Sequence, residues 1–220
     1  TDDNSVTRGL ATHYGDLDKR LNGLAPGALY IVAGRPSMGK TSFALNIIEN
    51  IAVRDQVPVL LFTLEVTKEQ IAENMLCSHA RVDAHKLMRG ELSDDDYRKV
   101  PEAAGRLSQV NLFVDDTPGL NITRLRAKAR RMKARHDIGL VVVDYLQLLS
   151  LGSNAESRQI EISRLSAALK QMARELSLPV ITLSQLNRGV EARQDKRPMM
   201  GDLRESGSIE QDADAVMLLY

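Results

Sequence analysis

The sequence predicts an α/β domain built on a mostly parallel, twisted sheet with helices on both faces. Three observations carry that expectation. Short β-branched and aliphatic runs alternate with long amphipathic segments along the chain. The runs are apolar throughout instead of alternating, as strands covered on both faces must be. The length, 220 residues, suits one such domain with a substantial core and falls short of two of ordinary size. In chain order, Leu29–Ala33 opens the sheet and runs into a glycine-rich turn, after which Thr41–Val53 is amphipathic and reads as a helix. Val59–Thr63 is the next strand, followed by a helix over Thr67–Ala80, where Thr67 and Gln70 have capping-box spacing. Ser93–Leu107 reads as a helix with a solvated acidic start, Asn111–Val114 as a strand, and Ile122–Arg135 as a helix. Leu140–Val143 is a wholly apolar strand, and the longest helix, Arg158–Leu176, is closed by Pro179 before the strand Val180–Leu183. A second capping-box pair, Ser208 with Gln211, precedes the last strand, Ala215–Tyr220. Two polar loops, Leu151–Ser157 and Asn187–Gly201, follow strand ends and so leave from the carboxyl edge, where parallel sheets bind ligands. Residues 1–11 are read as a linker remnant and 12–220 as the domain. A start at Thr and a stop at Tyr220 inside an apolar run lead us to expect a fragment, truncated at its C-terminal end.

Composition narrows the classes. Lys plus Arg and Asp plus Glu are 29 each, so no bulk field captures a polyanion, and any nucleic-acid binding must be local or arise in an assembly. Aromatics make up 4% and Trp is absent, which argues against a row of rings that stacks the bases of a single strand. A phosphate-directed mode stays open. The single cysteine, Cys77, excludes an intrachain disulfide and a cysteine metal cluster, agrees with a reducing compartment, and reads as a buried structural thiol. The four histidines, at 13, 79, 85 and 136, show no metal-ligand spacing. The longest apolar runs, Val57–Leu64 and Leu140–Val143, fall far short of the ~20 residues that span a bilayer, and no signal peptide opens the chain. A soluble cytoplasmic protein without a membrane partner is expected.

The strongest chemical signal is Gly34-Arg35-Pro36-Ser37-Met38-Gly39-Lys40-Thr41, a G-x-x-x-x-G-K-[ST] sequence between a strand and a helix. Gly34, Ser37 and Gly39 let the backbone curl so that its N–H groups face a triphosphate, with Ser42 just inside the helix. Lys40 neutralises the outer phosphates, and Thr41 places a hydroxyl where it can ligate Mg2+. Asp144 ends a fully apolar strand and so reaches the carboxyl edge, where it supplies the second metal-directed group. Glu65, just past the strand Val59–Thr63, is placed to polarise a water in line with the terminal phosphate; alternatively it is a carboxylate favoured by a nearby helix start. Gln185 ends a strand and introduces the loop from Asn187, where a neutral amide can bond the terminal phosphate and release it afterwards; an ordinary polar strand end is the other reading. In the charged stretch Arg197–Asp212, Arg204 and Gly207 beside a capped helix start offer a grip on a phosphodiester, or else a surface loop with internal salt bridges. The basic run Arg124–Arg135 looks like a nucleic-acid patch, yet Ile122, Leu125, Ala129 and Met132 form one helical stripe, which favours a solvated charged face.

Taken together, the glycine-rich motif, Asp144-Tyr145-Leu146-Gln147-Leu148, Ser184-Gln185-Leu186-Asn187-Arg188 and Asp202-Leu203-Arg204-Glu205-Ser206-Gly207-Ser208-Ile209-Glu210-Gln211-Asp212 resemble the motor domain of DnaB-type replicative DNA helicases from Thr12 onward. The resemblance implies a RecA-like P-loop core, ATP with Mg2+ as cofactors, a homo-hexameric ring with ATP sites at subunit interfaces, and 5′ to 3′ translocation on single-stranded DNA at replication forks. A primase and a helicase loader are the implied partners. Carried over by position, Lys40, Thr41 and Asp144 hold nucleotide and metal, Glu65 activates water, and Arg204, Glu205 and Gly207 line the channel, with Glu205 contacting DNA through its backbone N–H. Two positions depart from the family pattern: Asn74 stands where Arg is frequent near the nucleotide, and His13 replaces the usual Gly before Tyr14. The family pattern also continues past Tyr220 to a Lys and Arg segment that reaches the neighbouring subunit's terminal phosphate, so this chain by itself is expected to bind nucleotide, hydrolyse it poorly and unwind nothing. A RecA- or RadA-like recombinase and a KaiC-like signalling ATPase share the P-loop and its acids; the stretch Arg197–Asp214 argues against both.

Overall fold

The computed structural model describes residues 8–152, 157–203 and 209–220. Six strands form one sheet: β1 (Leu29–Gly34), β2 (Val59–Thr63), β3 (Leu112–Asp115), β4 (Leu140–Asp144), β5 (Val180–Gln185) and β6 (Ala215–Leu218). Their spatial order is β3-β2-β4-β5-β1-β6, and all five adjacent pairs are parallel. Every residue of β1, β2 and β4 is buried, which is why these strands read as unbroken apolar runs. The two-residue period of a strand then sorts side chains between the faces. Leu29, Ile31 and Ala33 of β1, with Val141 and Val143 of β4, point into one core, and Tyr30 and Val32, with Leu140 and Val142, into the other.

Eight α-helices occur among the described residues: α1 (Gly15–Leu21), α2 (Lys40–Glu49), α3 (Lys68–Ala80), α4 (Ala84–Arg89), α5 (Asp94–Leu107), α6 (Ile122–His136), α7 (Arg158–Leu176) and α8 (Ile209–Asp212). α2 and α3 fill the second core through Ala44, Ile47, Ile48, Ile71 and Met75; α6 and α7 fill the first through Leu125, Ala129, Leu165 and Leu169. The expected helix Thr41–Val53 is α2 continued by a π-helical turn over Asn50–Arg54. Thr67 accepts a hydrogen bond from the Gln70 backbone N–H, and Ser93 with Asp96 forms a full capping box at the acidic start of α5. The second expected cap, Ser208, lies outside the described residues. β6 ends at Leu218, two residues short of the expected Tyr220, whose ring is exposed. Helices α1 and α4 were not legible, since seven and six residues offer fewer than two turns of periodicity. Cys77 is buried, as expected. No helix among the described residues is long and apolar enough to cross a membrane.

Candidate nucleotide-binding site

Strand register assembles the site. Gly34 of β1 pairs with Gln185 of β5, and Thr63 of β2 pairs with Asp144 of β4, so four strand ends meet at the carboxyl edge. A cleft of about 440 Å3 opens there, and Ser37, Gly39, Lys40, Thr41, Ser42, Glu65, Asp144 and Gln185 all line it. Gly34 lies behind them: a side chain at this position would meet Lys40 Cγ at 3.3 Å, which explains the small residue. The loop curls through two left-handed positions, Ser37 (φ 64) and Gly39 (φ 77), the second at the cap of α2. The N-terminus of α2 therefore points its unpaired backbone donors into the cleft.

Lys40 and Asp144 have neutral hydrogen-bond partners. Lys40 Nζ donates to the Arg35 carbonyl at 2.9 Å. The Thr41 hydroxyl donates to Asp144 Oδ2 at 2.8 Å, and Asp144 is only 3% exposed. Burial pushes the Lys40 ammonium below its ordinary range, against the pull of Asp144 and Glu65. Burial likewise pushes the Asp144 carboxyl up, with the Thr41 hydrogen bond opposing it and the Glu65 charge adding to it. Desolvated ionisable groups gathered in one cleft are a recurrent mark of binding and catalytic sites. The fit to a metal-bound polyphosphate follows. A hydroxyl and a buried carboxylate stand side by side as hard oxygen donors of the kind magnesium takes, next to the Lys40 ammonium and the start of α2.

Glu65 reaches the cleft through a local turn in which the Thr63 hydroxyl donates to the Val66 carbonyl at 2.6 Å, while the Leu64 N–H donates to the Asp144 carbonyl at 2.7 Å. Its carboxylate is exposed on the cleft wall. Gln185 is held from behind. Gln147 accepts from the Gln185 backbone N–H at 3.3 Å and donates to Ser184 Oγ at 2.9 Å. Sequence reasoning gave Gln147 no role, although it stands in the quoted Asp144–Leu148 motif; nor did it place Pro36, Val66 and Tyr145, which also line the cleft. Asn74 lies in a neighbouring depression shared with Ser42, away from Lys40. His13 adopts a left-handed backbone (φ 63) and its ring bonds Asp55 at 2.9 Å, a position where Gly is conformationally cheaper. Arg204, Glu205 and Gly207 lie outside the described residues. Of the basic run on α6, Arg126 and Arg130 pair with Glu175, Lys128 with Asp115 and Lys133 with Asp137, while Leu125 and Ala129 are buried.

A parallel sheet in this strand order with a phosphate loop after β1 and a buried acid ending β4 defines a RecA-like P-loop nucleotide-binding domain. The family described as DnaB-like helicase C terminal domain matches residues 9–220, and the chain belongs to that family. It is 49% identical over 213 residues to the replicative DNA helicase DnaC of Bacillus subtilis, covering 96% of this chain and 47% of that protein. It is 48% identical to the replicative DNA helicase DnaB of Geobacillus stearothermophilus, covering 99% and 48%. The chain thus spans about half the length of these relatives. Among solved structures, an isolated ATPase domain superposes with a TM-score of 0.93 at 38% identity, covering 99% of this chain and 78% of that one. A DnaB-like replicative helicase, described with its interactions with primase, matches with the same score and identity over 97% and 52%.

Proposed function

We propose that this chain is the ATP-driven motor of a replicative DNA helicase, moving 5′ to 3′ on single-stranded DNA as one subunit of a homo-hexameric ring in the cytoplasm at the replication fork. One observation carries the reading: within a family of helicase C-terminal domains, this chain keeps a nucleotide half-site in which Lys40, Thr41, Asp144, Glu65 and Gln185 line one cleft. Family membership supports it over a recombinase or a signalling ATPase.

When bound, Mg-ATP supplies the phosphoanhydride to be cleaved and a metal that neutralises its oxygens. Backbone N–H groups of Ser37 to Ser42 cradle the phosphates, and Lys40, already partly desolvated, pairs with the outer ones. Thr41 and Asp144 hold the metal, directly or through water. Glu65 orients the attacking water and takes its proton. Gln185 reads the terminal phosphate through its side-chain amide. Arg204 and the backbone of Glu205 and Gly207 grip DNA phosphates without reading bases. The relative described with primase supports a primase as partner, and a helicase loader completes the set.

The test is ATP hydrolysis by the full-length protein with and without single-stranded DNA, together with unwinding of forks carrying a 5′ or a 3′ tail. Hydrolysis stimulated by single strands and unwinding only from the 5′ tail are expected; strand exchange without unwinding would move the assignment to a recombinase. Arg204→Ala should weaken binding equally for all sequences and flatten the salt dependence by roughly one phosphate contact.

A further inference from the structure

Arg35 is the one charged side chain inside the phosphate loop besides Lys40, and it faces away from the nucleotide cleft. Its Nε donates to Glu191 Oε1 at 2.8 Å and its Nη1 to the Leu186 carbonyl at 2.9 Å. The guanidinium is 14% exposed, while Glu191 is 59% exposed and lies outside the cleft. A planar fork is what this position needs, because carbonyl and carboxylate are engaged through different nitrogens at once.

Both targets belong to the segment that follows Gln185, and that segment is braced as a unit. Leu186 bridges Leu203, both buried, and the Asn187 N–H donates to the Asp202 carbonyl at 2.8 Å. Asp202 in turn pairs with Arg193 at 2.5 Å and accepts the Met199 N–H at 2.7 Å. Leu203 immediately precedes Arg204 in the chain. On the other side, the Arg35 carbonyl is the atom that Lys40 Nζ holds at 2.9 Å. Outer phosphates in the cleft would compete for that ammonium and release the Arg35 carbonyl, while the side chain's own bonds to residues 186 and 191 lie outside the cleft. This is a differential contact between two states, without which a ligand shifts nothing.

We propose that the Arg35–Glu191 pair is a positioning contact that couples occupancy of the phosphate pocket to the placement of residues 186–203. The proposal rests on the motor reading above and adds a route that does not pass through the Gln185 side chain. It is tested in the full-length protein with Glu191→Ala and Glu191→Gln. The readout is the ratio of oligo-dT dissociation constants without and with a non-hydrolysable ATP analogue, alongside DNA stimulation of hydrolysis. Glu191→Ala should lower that ratio about 5-fold or more, within the usual range of coupling between sites, and leave analogue affinity and hydrolysis without DNA within about 2-fold of wild type. Glu191→Gln, which keeps an acceptor for Arg35, should fall between. An unchanged ratio in Glu191→Ala overturns the clasp. Lost analogue affinity in the absence of DNA overturns it too, since Glu191 would then serve the pocket itself. A wild-type ratio of one would defeat the motor reading, and this proposal with it.

Discussion

The nucleotide cleft and the groove beside β3 both set lysine against carboxylate, Lys40 with Asp144 and Glu65 in the one, Lys68 and Lys128 with Asp115 and Asp116 in the other. The groove is the larger, about 560 Å3 against about 440 Å3. In the groove each carboxylate has a lysine for a partner, with Arg131 and Arg135 beside them as further cations. Lys128 donates to Asp115 at 2.5 Å and to the Thr117 hydroxyl at 2.8 Å, and Lys68 stands 3.7 Å from Asp116. Burial raises the Asp115 carboxyl, but the hydrogen bonds from Lys128 and Thr117 outweigh it and hold the group below its usual range. In the cleft, Lys40 bonds a carbonyl and Asp144 a hydroxyl, and each is displaced toward its neutral form. Volume therefore does not single out the functional site. What does is a carboxylate and an ammonium both displaced toward their neutral forms by burial, where the carboxylate of the groove is held ionised by its lysine.

The largest effect is expected at Glu65, on the wall of the cleft. Glu65→Gln in the full-length protein should lower hydrolysis at least ~100-fold, the scale of a lost general base, with nucleotide affinity nearly intact. Turnover at the wild-type rate would assign the water to another residue. Next in size, Lys40→Ala should weaken binding of a fluorescent ATP analogue about 10- to 100-fold, as expected for a hydrogen bond to a charged group. Equal affinity would remove the phosphate role from the loop.

A smaller effect sharpens the contrast because its sign differs between the two regions. Asp144 has a folded-state pKa above its unfolded value, so the native state is penalised above that pKa and the penalty is relieved as pH falls through it. Asp115 has a depressed folded-state pKa, so its contribution is present above the unfolded value and lost as pH falls through the folded one. At neutral pH without nucleotide, Asp144→Asn should raise Tm and Asp115→Asn should lower it, the latter by no more than about 1 kcal/mol for a partly exposed pair, or about 2–4 °C. Shifts of the same sign, read by thermal denaturation, would undo the distinction. Smallest of all, Lys128→Ala should leave nucleotide affinity and turnover within about 2-fold of wild type, because its charge is spent on Asp115 and affects stability alone. A larger loss would place a second ligand site beside β3.

The six strands and the long helices were legible because strands buried on both faces and amphipathic helices each leave a periodic trace, seen in Leu140–Asp144 and in the Leu125–Ala129 stripe of α6. The basic run on α6 was legible as a charged face for the same reason. α1 and α4 were hidden by their length, and Gln147 by its neutrality, since an amide that acts through Ser184 and the Gln185 backbone has no signature apart from the contact.

By itself the sequence determined the local chemistry of the phosphate loop, because curl, helix start, Lys40 and Thr41 lie within eight residues and need no distant partner. It also put an acid at the carboxyl end of β4, since Asp144 follows directly on an unbroken apolar run. Only the tertiary structure decided which strand ends stand together. The register that sets Gly34 beside Gln185 and Thr63 beside Asp144 depends on the crossing order β2-β4-β5-β1, which joins residues far apart in the chain, as in the Thr41 to Asp144 hydrogen bond across 103 positions. Burial was decided there as well: the desolvation that strains Lys40 and Asp144 comes from strands and helices packed around them, and no linear spacing encodes it.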